Sequence, residues 1–167
     1  MCWCSKAGWR PGRRRMAEAS RVLRALDYPP VWLMAALGLV WVETLLAPGL
    51  VDWARGFGNA LALLAIAIFV LAVWEFLRAR STIIPHQTPQ KLITTGIFAM
   101  SRNPIYLADV ILLVGLSLRW GAVSGLALAP VLVWILQQRF IHGEEARLRA
   151  TFGPDAEQYL DRTRRWI

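Results

Sequence analysis

Three carboxylates interrupt stretches that are otherwise apolar: Glu43, Glu75 and Asp109. A carboxylate inside or at the edge of such a run is costly to desolvate and as a rule faces protein or a water-filled cavity, so each is a candidate for holding a cation or taking a proton. For Glu75, one turn before Arg78, the bland counterpart is an intrahelical ion pair. Asn103 and Pro104 form a second chemical feature. Asn suits a helix cap and Pro the first helical position, so a helix beginning there turns unpaired backbone donors and a positive dipole end toward the preceding loop. That end suits a bound carboxylate. Tyr106 and Asp109, three residues apart, share a face of this helix. Glu144 and Glu145 make a third feature, which alone reads as an acidic helix start. Arg102 alone reads as a snorkelling anchor and Tyr106 as an interfacial aromatic. His86 and His142 are single histidines of the kind that is usually solvated. Cys2 and Cys4 have no partner cysteine or neighbouring histidine, so neither a zinc site nor a disulfide framework follows.

The elements that position these residues are set by the apolar runs. Apolar residues make up 56% of the 167, and they are bunched rather than spread at soluble-helix or strand periodicity. A bilayer is the simplest solvent for them. The runs predict an all-α integral membrane bundle of about four transmembrane helices, at about residues 30–47, 59–76, 104–118 and 122–141. The third is short, about 22 Å against roughly 30 Å of hydrocarbon, so its start is expected within the interface. Arg119-Trp120-Gly121 is expected to turn the last two spans into a hairpin. Residues 78–103, broken by Pro85, Pro89 and Gly96, form an irregular loop long enough to fold over a ligand. The tail, 142–167, reads as a charged amphipathic helix from Glu144 to Phe152, a break at Gly153-Pro154 and a short second helix bearing Tyr159, with Trp166 suited to a headgroup interface. Residues 1–29 are a basic N-terminal segment ahead of a single membrane domain, 30–167; Met16 opens a cleaner amphipathic start, and residues 1–15 are given no functional weight.

The net charge of +8 does not point to nucleic acid, because no basic face is interleaved with exposed aromatics. The cations flank the spans instead. Seven Lys and Arg precede the first span, four lie between the second and third and six run from Arg139 onward, against one each in the two remaining connections. The positive-inside rule then places both termini and the 78–103 loop in the cytoplasm of a multi-pass cell (inner) membrane protein.

Leu92-Ile93-Thr94-Thr95-Gly96, Ser101-Arg102-Asn103-Pro104-Ile105-Tyr106, Glu144-Glu145 with Leu148, Phe152-Gly153, and finally Tyr159 and Arg162 occur in an order that resembles the isoprenylcysteine carboxyl methyltransferase and phospholipid methyltransferase superfamily. The likeness runs from about Thr82 to the C-terminus. It implies a pocket for S-adenosyl-L-methionine lined by Gln90, Lys91, Leu92, Ile93 and Phe98 from the loop, and closed by Arg102, Asn103, Pro104, Ile105, Tyr106 and Glu144 from the helices. Such a cofactor wants donors for its carboxylate, an anion for its ammonium and sulfonium, and apolar walls for adenine. Departures from the family pattern are Ile97, Ala99, Ala108 and Ala156. A further one is Phe140 where prenylcysteine members carry the arginine that binds the acceptor carboxylate, with Arg139 one place away.

The implied acceptor is a lipid or prenylated small molecule. A carboxylate acceptor is already ionised and needs only a cation such as Arg139 to position it, whereas an amine needs a base, for which Asp109 or Glu145 is the candidate. Two other readings stay open: a non-catalytic membrane adaptor of the same fold, and a protein resembling the sterol reductases, which bind a nicotinamide cofactor.

Overall fold

The computed structural model describes residues 28–47, 52–79 and 91–167, and among them there are helices, turns and loops but no strand. Residues 1–27 and, within the expected cytoplasmic loop, residues 80–90 with His86 and Gln90 lie outside the described residues.

Helix α1, Pro29–Leu46, begins with two prolines, whose fixed φ and missing N–H cost nothing in a first turn. It ends where Ala47 turns extended, with the Ala47 N–H donating to Glu43 O at 2.8 Å. Helix α2, Arg55–Ala79, is 25 residues long and follows a 3-10 turn at Asp52–Ala54. Its buried positions are Gly58, Ala65 and Ala72, seven apart, while Leu63, Leu64, Ile66, Phe69, Val70 and Leu71 are exposed. Small residues on the packed stripe and large apolar ones outside are the arrangement a helix adopts when lipid covers its outer face.

Helix α3, Pro104–Trp120, is the central element and packs against α1, α2 and the next helix, α4. Its approach to α2 is close enough that a Cβ on Gly58 would lie 2.5 Å from Arg119 N and 2.6 Å from Gly115 O. One on Gly115 would lie 2.8 Å from Ala62 N. Only glycine lets two backbones meet at that separation. Gly121 then stops α3 with a left-handed φ of 74°, and its N–H returns to Leu118 O and Ser117 O.

Helix α4, Ser124–Leu136, contains Pro130 and runs through a π-helical turn, Gln137–Ile141, into α5, His142–Phe152. The expected separation between a fourth span ending at 141 and a distinct tail helix is therefore not found: nothing between Ile141 and Glu144 breaks the backbone, and Gly143 is carried inside the helix. The Gly153-Pro154 break is where it was expected, with Gly153 at φ 52° and α6 covering Pro154–Arg162. The hairpin turn sits two residues later than Arg119-Trp120-Gly121 suggests, because Arg119 and Trp120 complete the last turn of α3.

Pro29–Leu46, Arg55–Ala79 and the continuous run Ser124–Phe152 are long and apolar enough to cross a membrane. Helix α3 is shorter, 17 residues or about 26 Å. The core lies between α1, α3 and α4, built on Leu33, Val40, Tyr106, Leu113, Leu132, Leu136 and Phe140. Glu43 has a structural task at its edge: the carboxylate accepts from Val123 N–H and Ser124 N–H, each at 3.0 Å, and so caps α4.

Candidate active site

The loop before α3 tightens into a 3-10 turn, Gly96–Ala99, that buries Phe98. Its ring meets Phe76 of α2 edge to face at 5.3 Å, and its carbonyl accepts from the Tyr159 hydroxyl at 2.9 Å. Burial pushes that hydroxyl up to about 12. The end of α2 and the buried face of α6 thus clamp the turn from two directions. Glu75 adds a third tie by accepting from Thr95 Oγ1 at 3.1 Å, in place of a simple pairing within its own helix.

At the start of α3 the polar groups converge on one carboxylate. Glu145 Oε1 accepts from Arg102 Nη1 at 3.1 Å and from Arg165 Nε at 2.9 Å, while Oε2 accepts from Arg165 Nη2 at 2.8 Å. Its side chain is only 6% exposed. Arg102 also donates through Nε to Thr163 O and through Nη2 to Leu160 O, and its backbone N–H donates to Arg164 O at 3.0 Å. Asn103 Nδ2 donates to Arg165 O at 3.2 Å, and its N–H goes to Ser101 Oγ at 3.2 Å. Asn103 is the cap of α3 by position but makes no side-chain cap bond. Of the donors expected to await a ligand carboxylate, the Asn103 side-chain amide is thus taken by the C-terminal segment, which folds back over this helix start, and the Asn103 N–H by Ser101.

Both Glu145 oxygens accept from guanidinium donors, which ties the tail to the start of α3. One expectation changes on this geometry. Trp166 is not a headgroup anchor standing in solvent: it packs against the core, and its indole N–H is buried without a partner among the described residues. Arg165, which completes the anchor, was not among the sequence candidates, because nothing local to the basic run Arg162–Arg165 marks a buried partner. The available signal was Glu145 itself, a carboxylate destined for burial and in need of cations.

One turn further along α3, Tyr106 donates its hydroxyl to Glu144 Oε1 at 2.6 Å, and its ring packs 6.4 Å from Phe140. Asp109 and Arg147 lie close enough for their charges to act on Tyr106. Asp109 is half-buried and accepts no hydrogen bond from another described residue. Pro104 is buried and Ile105 packs against the core, so neither faces the loop. Arg139 sits in the π-helical turn with its guanidinium 5.6 Å from the Trp32 ring of α1, on the exposed side of a segment whose buried members are Phe140 and Ile141.

Lys91, Leu92 and Ile93 line a cleft of about 350 Å³ together with Glu75, Arg78, Ala79, Thr94 and Thr95. Its lining offers cations for a carboxylate, an anion for an ammonium, and apolar walls, and its volume is in the range of small-ligand sites. The chemistry of this set fits S-adenosylmethionine. Tyr106 and Glu144 are not among the residues lining it.

The sequence profile of the phospholipid methyltransferase family matches residues 53–155, and the chain belongs to that family. It is a membrane protein of methyltransferase type. Comparison with curated proteins and with solved structures returns no match.

Proposed function

We propose that this chain transfers a methyl group from S-adenosylmethionine to the amine of a lipid headgroup, with Asp109 as the proton acceptor. The observation behind this is the pairing state of the carboxylates. Glu43 caps α4, Glu145 is held by two arginines and Glu144 takes the Tyr106 hydroxyl, while Asp109 beside Tyr106 accepts no hydrogen bond from the described residues. An unpaired carboxylate within an apolar helix is a functional group by default.

Bound S-adenosylmethionine supplies an electrophilic methyl on a sulfonium and leaves as a neutral thioether. Lys91 and Arg78 would hold its carboxylate, Glu75 its ammonium, and Leu92 and Ile93 its adenine. Asp109 attracts an ammonium headgroup, takes the proton that an amine with pKa near 10 must lose before it can attack, and keeps the reacting nitrogen out of water. The Glu144–Tyr106 bond fixes the wall of this site, and Arg139, on the exposed side beside Trp32, is placed to meet the lipid phosphate. Phe140 at the position of the prenylcysteine-binding arginine counts against a carboxylate acceptor. In this reading α3 is the fourth crossing, both termini and the Lys91–Asn103 loop face the cytoplasm, and the acceptor enters sideways from the bilayer where α3 is short.

The test is methyl transfer from labelled S-adenosylmethionine by the full chain in vesicles containing either phosphatidylethanolamine or a prenylcysteine. Base-stable label in the phospholipid, lost about 100-fold or more in Asp109→Asn with cofactor binding retained, is the expected result. Base-labile ester formed on the prenylcysteine at the same rate in both proteins would overturn the amine assignment. No cofactor binding by the folded wild type would leave the adaptor reading in its place.

A further inference from the structure

The end of the bundle opposite the Arg102–Glu145 cluster holds a polar cleft that the proposed reaction does not use. Helix α3 runs about 26 Å from Pro104 at the cluster to Trp120 at this cleft. The cleft has a volume of about 430 Å³ and is lined by Thr44 from the end of α1, Arg55 and Asn59 from the start of α2, and Arg119 and Trp120 from the end of α3. Arg55 and Arg119 are the same two cations that the charge count left alone on the side away from the termini. The fold brings both into one cleft, and the described lining contains no carboxylate.

The hydrogen bonds inside the cleft orient it. Arg119 Nη1 donates to Asn59 Oδ1, which commits the amide oxygen and leaves the Asn59 NH2 group to face outward as a donor. Thr44 Oγ1 donates its own proton to Trp41 O at 2.7 Å, so toward the cleft it can only accept. Glu43, one residue before Thr44, is turned onto the α4 start. The result is a concave surface with guanidinium and amide donors, plus one hydroxyl acceptor at its rim.

Its surroundings are those of a membrane interface. Trp41 and Trp120 meet edge to face at 5.4 Å, and Trp41, Trp53 and Phe57 are exposed around the opening. Indoles in this position mark the headgroup level. Below them Leu39 and Met34 of α1 and Leu63 and Leu64 of α2 present exposed apolar side chains along which acyl chains can lie.

We infer that this cleft binds the phosphodiester of an anionic phospholipid in the leaflet opposite the cofactor-facing end, with a headgroup hydroxyl donating to Thr44. The guanidinium forks match phosphate oxygens, and the pairing is strengthened where headgroups lower the local dielectric. A zwitterionic headgroup whose cation must sit between two arginines is disfavoured. The site is separate from the methyl-transfer reading and does not depend on it.

The experiment is native mass spectrometry of the full chain in detergent with added phosphatidylglycerol, phosphatidylcholine or inorganic phosphate, with thermal melting alongside. Phosphatidylglycerol should form a one-to-one adduct at lower concentration than phosphatidylcholine, and Arg55→Gln should weaken it about fivefold. Arg119→Gln should do the same. Because Arg119 also holds Asn59, its variant is read with Arg119→Lys, which keeps the charge, should retain most of the binding and melts as a control for packing. Equal binding of the two lipids, or unchanged affinity in Arg55→Gln, would overturn the proposal. Inorganic phosphate binding as tightly as phosphatidylglycerol would make this a free-anion site and overturn the lipid assignment.

Discussion

Replacing Glu145 by alanine separates an anchor from a base more cleanly than any other change. In the native chain the carboxylate is 6% exposed and pairs with both Arg102, 18% exposed, and Arg165, 33% exposed. Removing one partner of a fully buried pair costs roughly 3–5 kcal/mol. Two features lower that figure here. Arg165 is a third exposed and can turn to water, and Arg102 keeps the carbonyls of Thr163 and Leu160 as acceptors. A loss of about 2–3 kcal/mol remains, which for a chain of this size lowers the melting temperature by roughly 5–10 °C. Glu145→Gln should fall between, because its carbonyl can still accept from Arg102 and Arg165 Nε while its NH2 faces a donor, Arg165 Nη2. The assay is thermal unfolding of the detergent-solubilised full chain, paired with hydrogen exchange of residues 160–166, which should lose protection together. In a double-mutant cycle with Arg165→Ala the two losses should be strongly non-additive. Melting of Glu145→Ala within about 2 °C of wild type, with methyl transfer lost, would refute the anchor role. Glu145 would then act on the reactants rather than on the tail.

Tyr106→Phe removes one charge-assisted hydrogen bond to Glu144 and should lower kcat/KM by about tenfold or more, with little change in cofactor affinity; steady-state kinetics with both substrates varied checks it. Gly115→Val places side-chain carbon against Ala62 N and Gly58 O and should cost about 1–3 kcal/mol or force α2 away from α3, seen as a lower melting temperature. The Tyr159 hydroxyl is pushed up to about 12 by burial, against 10 for the exposed group. The folded state then holds its proton where the unfolded state has lost it, so this contribution is present below pH 10 and lost between about pH 10 and 12. It amounts to something on the order of 2 kcal/mol, and Tyr159→Phe should flatten that part of the stability profile.

The long apolar helices were readable because such runs have few other solutions in a bilayer, and prolines mark two of the helix starts. Pro29-Pro30 and Pro104 sit at helix starts, and Gly121 ends α3 where the hairpin was expected. The join between α4 and α5 was not readable, since a π-helical turn leaves no compositional mark and Glu144 looks like any helix start. The candidate residues of the site were partly legible. Tyr106 and Glu144 are linked, and Lys91, Leu92 and Ile93 share a cleft. What local patterns could not reveal was the tail folding back, because the partners of Arg102 are backbone carbonyls some 60 residues away, and a carbonyl has no sequence signature.

The Glu-Glu pair shows why that hidden contact matters for chemistry. Adjacent helical residues point about 100° apart, so Glu144 and Glu145 cannot serve the same partner. Glu145 turns to Arg102 and Arg165, and Glu144 turns to Tyr106. Fixing the first therefore fixes the rotation of α5 about its axis, and with it the placement of the second against α3. A weakened tail anchor should loosen the Tyr106–Glu144 bond through the rotation of α5, whereas Tyr106→Phe should leave the tail in place. Exchange protection measured on both segments in both variants distinguishes this one-way dependence from a site in which the two carboxylates act independently.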